Sequence, residues 1–147
     1  MRLTSQLFAP CFFLFAPLRE NTMTENELAK EIVNAAYKIH TTLGPGLLES
    51  VYETTLAHEM EQRGIKVVRQ QALPVVYETI RMDIGFRADL IVGGKVIIEI
   101  KSVEAISPVH RKQLLTYLRL TGKRLGLLIN FNVELIRDGM TRVVNGL

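Results

Sequence analysis

Apolar residues at Leu28, Ile32, Ala35, Ala36, Ile39 and Leu43 keep the three-and-four spacing of one helix face. Thr24 and Glu27 suit the N-cap and N3 positions of a capping box, and Gly44-Pro45 ends the pattern. A helix over 25–43 is therefore predicted. A second stripe, Leu48, Val51, Tyr52, Leu56 and Met60, predicts a helix over 47–63 closed by Gly64. The period then changes. Residues 65–71, 72–78, 82–92 and 96–103 read as antiparallel strands, with Pro74 placing the second near a sheet edge and Tyr77 and Phe86 as core or rim aromatics. Ser107 and Pro108 open a helix over 108–120 with Leu114, Leu115 and Leu118 inward. The Leu-Gly-Leu-Leu-Ile run predicts a buried strand over 125–131, brought back parallel to 96–103 by the helical crossover. Residues 133–147 are expected to form a strand pair around Asp138-Gly139. This order predicts an α/β fold, a central mixed β-sheet flanked by helices.

The stretch from Arg87 to Lys101 sets charges inside an apolar hairpin. Its register turns on the loop. With a two-residue loop, Gly93-Gly94, Asp89 and Glu99 fall on opposite faces. With a three-residue loop, Gly93-Gly94-Lys95, Val92 faces Val96 and Asp89 lies across from Glu99. The second register is preferred because it sorts side chains cleanly. Ala88, Leu90, Val92, Val96, Ile98 and Ile100 make one apolar face, and Asp89, Glu99 and Lys101 share the other with Ile91 and Ile97. Opposed carboxylates repel unless something holds them. A hard divalent cation would do so through oxygen ligands. Lys101 beside it suits work on a water or a phosphate charge. The alternative is a salt-bridged sheet surface.

This Asp and Glu-x-Lys pattern resembles the PD-(D/E)xK nuclease motif, with Ala88 in place of its proline. A second resemblance lies upstream. Gly46-Leu47-Leu48-Glu49-Ser50-Val51-Tyr52 is similar to the Gly-x-x-Glu-x-x-Tyr signature of the GxxExxY protein family of that superfamily, and the similarity extends over residues 27–132. The resemblance implies a restriction-endonuclease-like core, phosphodiester hydrolysis, and Mg²⁺ or Mn²⁺ held by Asp89 and Glu99. Glu49 would support the metal, with the Ile100 carbonyl as a further ligand. Read without it, Glu49 is a first-turn residue that complements the helix dipole. Gln113 and Tyr117, four apart on one helix face, resemble the Gln-x-x-x-Tyr motif of the exonuclease-like branch, which implies positioning of substrate with Arg111 and Lys112 nearby.

The 147 residues, 48% hydrophobic with net charge +3, suit one domain. Residues 7–18 hold four of the six Phe, two prolines and the single cysteine, Cys11. That stretch falls short of the roughly 20 apolar residues of a membrane span. Residues 1–22 are read as an extension, an upstream start or a weak signal-like segment, and 23–147 as the domain, with Met23 as its expected initiator. One cysteine excludes an internal disulfide, and His40, His58 and His110 lack zinc-ligand spacing.

Charge divides unevenly. Residues 24–64 carry three Lys/Arg against seven Asp/Glu, a net of −4, and residues 65–147 carry thirteen against seven, a net of +6. The motif-bearing part is the basic part, as a phosphate-binding surface requires. The expected partner is nucleic acid, DNA or RNA, in the cytoplasm, with homodimerisation open and no membrane partner. Two rivals stand beside a nuclease: a non-catalytic nucleic-acid- or protein-binding module of the same fold, and a one-metal enzyme acting on a small molecule.

Overall fold

The computed structural model describes residues 22–147, so Cys11 and the stretch 7–18 lie outside the described residues. Helices α1 (Glu25–Leu43) and α2 (Glu49–Gln62) come first. Strands β1 (Val67–Tyr77), β2 (Ile80–Val92) and β3 (Val96–Lys101) follow. Helix α3 (Pro108–Thr121) leads to β4 (Leu125–Asn130), a 3-10 turn (Ile136–Gly139) and β5 (Met140–Val144). The strands lie in sequence order in one sheet. All neighbours are antiparallel except β3 and β4, which α3 joins as a parallel pair. No described helix is long and apolar enough to cross a membrane.

Helix α1 begins at the capping box: the Glu27 N–H donates to Thr24 Oγ1 at 3.2 Å and the Thr24 N–H to Glu27 Oε2 at 2.7 Å. Its stripe, Leu28, Ile32, Ala36 and Ile39, packs with Tyr52, Leu56 and Met60 of α2 onto Leu90, Val92, Val96, Ile98 and Ile100. Helix α3 covers the opposite sheet face, where Leu114 and Leu118 meet Ala88, Ile91, Ile97 and Leu128. Strand β3 is therefore covered on both faces, which accounts for its near-continuous apolar run. A buried central strand is a rigid place from which to present Glu99.

Several expectations need correction. The two strands expected over 65–71 and 72–78 are one, β1 (Val67–Tyr77); Pro74 is accommodated because β1 is an edge strand and the ladder shifts there. Residues 133–147 form no strand pair, since the 3-10 turn delivers β5 directly onto β4. Leu48 lies outside α2 and, like Val51, faces solvent. Tyr77 is exposed because the β1–β2 hairpin runs past the end of β3. Ala88 belongs to the α3 side, not to the face of Leu90. The alternation of β2 slips at Asp89, where its ladder with β1 is interrupted between Arg69–Leu90 and Gln71–Ala88.

Helix α3 approaches β4 closely at Gly126, where an added Cβ would come within 2.8 Å of Leu114 Cδ1. Gly126→Val is expected to destabilise the fold by about 1–3 kcal/mol, the usual cost of overpacking, as chemical denaturation would measure.

Candidate metal and nucleic-acid site

The β2–β3 turn sets the register. Gly93 and Gly94 both take positive φ, 58° and 67°, which glycine enters without a Cβ penalty. Val92 pairs with Val96, Ile91 with Ile97 and Leu90 with Ile98, and the ladder ends there. Beyond it Asp89 fills the gap between the strands. The Ile100 N–H donates to Asp89 Oδ2 at 2.8 Å, and the Asp89 N–H donates to Glu99 Oε1 at 3.3 Å. Two carboxylates are thereby tied together, each bound to the main chain of the other's strand.

Glu99 is only 7% exposed. Burial, then the charge of Asp89, pushes its carboxyl up to about 8; the hydrogen bond from the Asp89 N–H and the charge of Lys101 pull the other way. At neutral pH the pair thus holds a proton that a cation would displace. Lys101 is half-buried and its ammonium makes no hydrogen bond or ion pair among the described residues, while its carbonyl accepts from the Phe131 N–H at 3.0 Å.

Helix α3 sets Tyr117 near this pair. Burial, and then the charges of Glu99 and Asp89, raise the phenol's pKa, while the Gln113 side chain lowers it by donating to the Tyr117 oxygen at 2.6 Å. Phe86 stacks on the Tyr117 ring with centroids 4.1 Å apart. Arg111 and Lys112 are exposed near the start of α3 and unpaired among the described residues.

Glu49 is directed elsewhere. Its Oε1 accepts from the Ser102 N–H at 3.2 Å, while Ser102 Oγ donates to the Leu47 carbonyl at 2.7 Å. Tyr52 stacks on Phe131 with centroids 4.3 Å apart, donates to the Gly44 carbonyl at 2.6 Å and accepts from the Leu47 N–H at 3.1 Å. Gly46, at φ +92°, lets the loop turn between them. The Gly-x-x-Glu-x-x-Tyr segment thus clamps the chain immediately after Lys101. Asn130, buried at the end of β4, closes the other side by bonding both the N–H and the carbonyl of Val103.

The α2 carboxylate linked to Asp89 is Glu53. Gln70 Nε2 donates to Glu53 Oε2 at 2.9 Å and to Asp89 Oδ1 at 3.3 Å. Arg69 Nε donates to Glu53 Oε1 at 3.3 Å and its Nη2 to Thr54 Oγ1 at 2.8 Å. Gln70, Glu53 and Asn130 were not singled out by sequence reasoning. The position of Glu53 one helical turn after Glu49 was the only available signal. His40 and His110 have structural partners: His40 Nε2 pairs with the Val133 carbonyl at 2.8 Å, and the Ser107 N–H donates to His110 Nδ1 at 3.2 Å.

Among the described residues no three His, Cys, Asp or Glu side chains converge as a metal group. The donor set nonetheless suits a hard cation that keeps several waters: two carboxylates at one point, with a spare lone pair on each Asp89 oxygen. In a strand the N–H and C=O of one residue face the same edge, so the Ile100 carbonyl faces Asp89 as its N–H does. A cavity of about 620 Å³ between the end of α1 and the 3-10 turn is lined by none of these residues.

A mixed sheet between helices, with two acids and a lysine on adjoining strands, defines a nuclease-like α/β core. The chain belongs to the PD-(D/E)XK nuclease superfamily, which it matches over residues 26–143. No curated protein matches it. Among solved structures, an alkaline exonuclease from Laribacter hongkongensis is similar, at 19% identity over 86% of this chain and 75% of that one, with a TM-score of 0.43.

Proposed function

We propose that this protein is a metal-dependent nuclease of the GxxExxY group that hydrolyses phosphodiester bonds in nucleic acid. The observation that carries the reading is the Asp89–Glu99 pair: two hydrogen-bonded carboxylates on a buried strand pair, one pushed up to about 8, beside an uncommitted lysine. Burial of unpaired charge for packing alone is costly, and such perturbation marks functional sites. Asp89 and Glu99, with the Ile100 carbonyl, would hold Mg²⁺ or Mn²⁺. When bound, the cation would lower the pKa of a water and neutralise phosphate charge. Lys101 would orient that water and stabilise charge developing on the phosphate. Glu49, the first residue of α2, would support the metal only indirectly, by holding the end of β3 in place through the Ser102 N–H. Tyr117, Gln113, Arg111 and Lys112 would steer the strand.

The test is incubation of the full chain with single- and double-stranded DNA and RNA in Mg²⁺, Mn²⁺ or EDTA. Cleavage of at least one substrate that EDTA abolishes is expected; no cleavage of any of them overturns the reading. Gln113→Ala should raise KM severalfold with kcat little changed, in steady-state kinetics at one salt concentration. The lack of a third converging carboxylate among the described residues favours one second reading, a nucleic-acid-binding module without catalysis. It predicts binding that neither Mg²⁺ nor EDTA alters.

A further inference from the structure

Where β1 passes Asp89, the sheet is irregular. Arg69 pairs with Leu90 and Gln71 with Ala88, and between them Gln70 and Asp89 drop out of the ladder. Gln70 has φ +49°, a left-handed conformation that residues other than glycine enter at a cost. Its side chain meanwhile makes two specific bonds. Each N–H of the amide serves one carboxylate: Glu53 Oε2 at 2.9 Å and Asp89 Oδ1 at 3.3 Å. Glu53 is a firm anchor, since it is 8% exposed and Arg69 holds its other oxygen. The strained backbone aims this amide between the two acids.

From this geometry we propose that Gln70 is a positioning residue for the metal centre, braced on Glu53 and orienting the Asp89 carboxylate. The inference rests on the reading of Asp89 as a metal ligand. Gln70 and the Ile100 N–H each occupy one lone-pair direction on an Asp89 oxygen, so one direction on each stays open for a cation while the carboxylate plane is fixed. Partners that stand behind a ligating carboxylate in this way typically govern metal affinity by ten- to a hundredfold. Glu53 supplies the brace and Gln70 transmits it.

The test is Mn²⁺ titration by calorimetry of the full chain, comparing the parent with Gln70→Gly, Gln70→Asn and Asp89→Asn. Melting of each in EDTA runs alongside. Gln70→Gly removes the amide and relieves the positive φ. It should bind Mn²⁺ about tenfold more weakly or worse, while melting in EDTA at or above the parent's temperature. Gln70→Asn also tolerates positive φ but is one methylene too short to span both acids, so it should show the same loss and carries the comparison if Gln70→Gly fails to fold. Parent-like or tighter Mn²⁺ affinity in the folded Gln70 variants, with Asp89→Asn impaired, overturns the positioning role alone. A parent that binds no Mn²⁺, or an Asp89→Asn variant that binds like the parent, overturns the metal reading and this inference with it.

Discussion

Lys101→Ala should slow cleavage by on the order of a hundredfold or more, the usual loss when one preorganised electrostatic group is removed from a site. Lys101 shares the strand face of Glu99, is half-buried, and spends its charge on no ion pair among the described residues. An ammonium held so is available to a water or a phosphate oxygen. It donates nothing to a cation, so Mn²⁺ affinity should survive the substitution. The loss should fall on kcat, because the interaction strengthens only as charge develops. Single-turnover kinetics of the folded variant against the parent, with circular dichroism as a control for folding, measures this. Parent-like turnover would remove Lys101 from the chemistry.

Without divalent cations, the protein should lose stability as pH rises from about 5 to 8. Unfolded, Glu99 ionises near its ordinary value of 4.5; folded, burial and Asp89 hold its proton up to about 8. Between those values the folded state binds more protons than the unfolded one, so the stabilisation is complete below pH 4.5 and is lost as pH approaches 8. The loss over that window is on the order of a few kcal/mol. Glu27 and Glu59 shift downwards, Glu27 through the Thr24 cap and Glu59 through Lys38 and Arg63, so their contributions fall below this window. Glu99→Gln keeps a neutral side chain at every pH. It should flatten the slope and leave the variant more stable than the parent at pH 8. Chemical denaturation in EDTA at pH 5, 6.5 and 8 reads this directly. An unchanged slope in Glu99→Gln would assign the pH dependence to another group.

The register that unites Asp89 with Glu99 was legible because one apolar face could be sorted from one charged face around Gly93-Gly94, and a one-residue slip would have exchanged them. The first helix was equally legible, since Thr24, Glu27 and Gly44 mark both of its ends. The long-range tertiary links were not. Glu53 lies 17 residues before Gln70, and Gln70 lies 19 before Asp89, so nothing local joins them. Ala88 fell on the unexpected face for the same reason, because the slip in alternation arises at the unpaired Gln70 and Asp89. Asn130 falls inside the strand expected over 125–131 with no local mark, and only the fold brings it onto Val103. The signature around Gly46 was visible, but its hydrogen bonds to Ser102 and through Tyr52 emerged only with the packing of α2 beside the end of β3.

The central claim is that Asp89 and Glu99 form one metal centre. Anomalous diffraction from crystals grown with Mn²⁺ at pH 8 tests it most directly, since about half of Glu99 has then shed its proton before the cation displaces the rest. The account predicts one strong peak bound by a carboxylate oxygen from each of Asp89 and Glu99 and by the Ile100 carbonyl, and no such peak in Asp89→Asn. A saturating Mn²⁺ soak that leaves no density between Asp89 and Glu99, or one that places the ion at other residues, would contradict it.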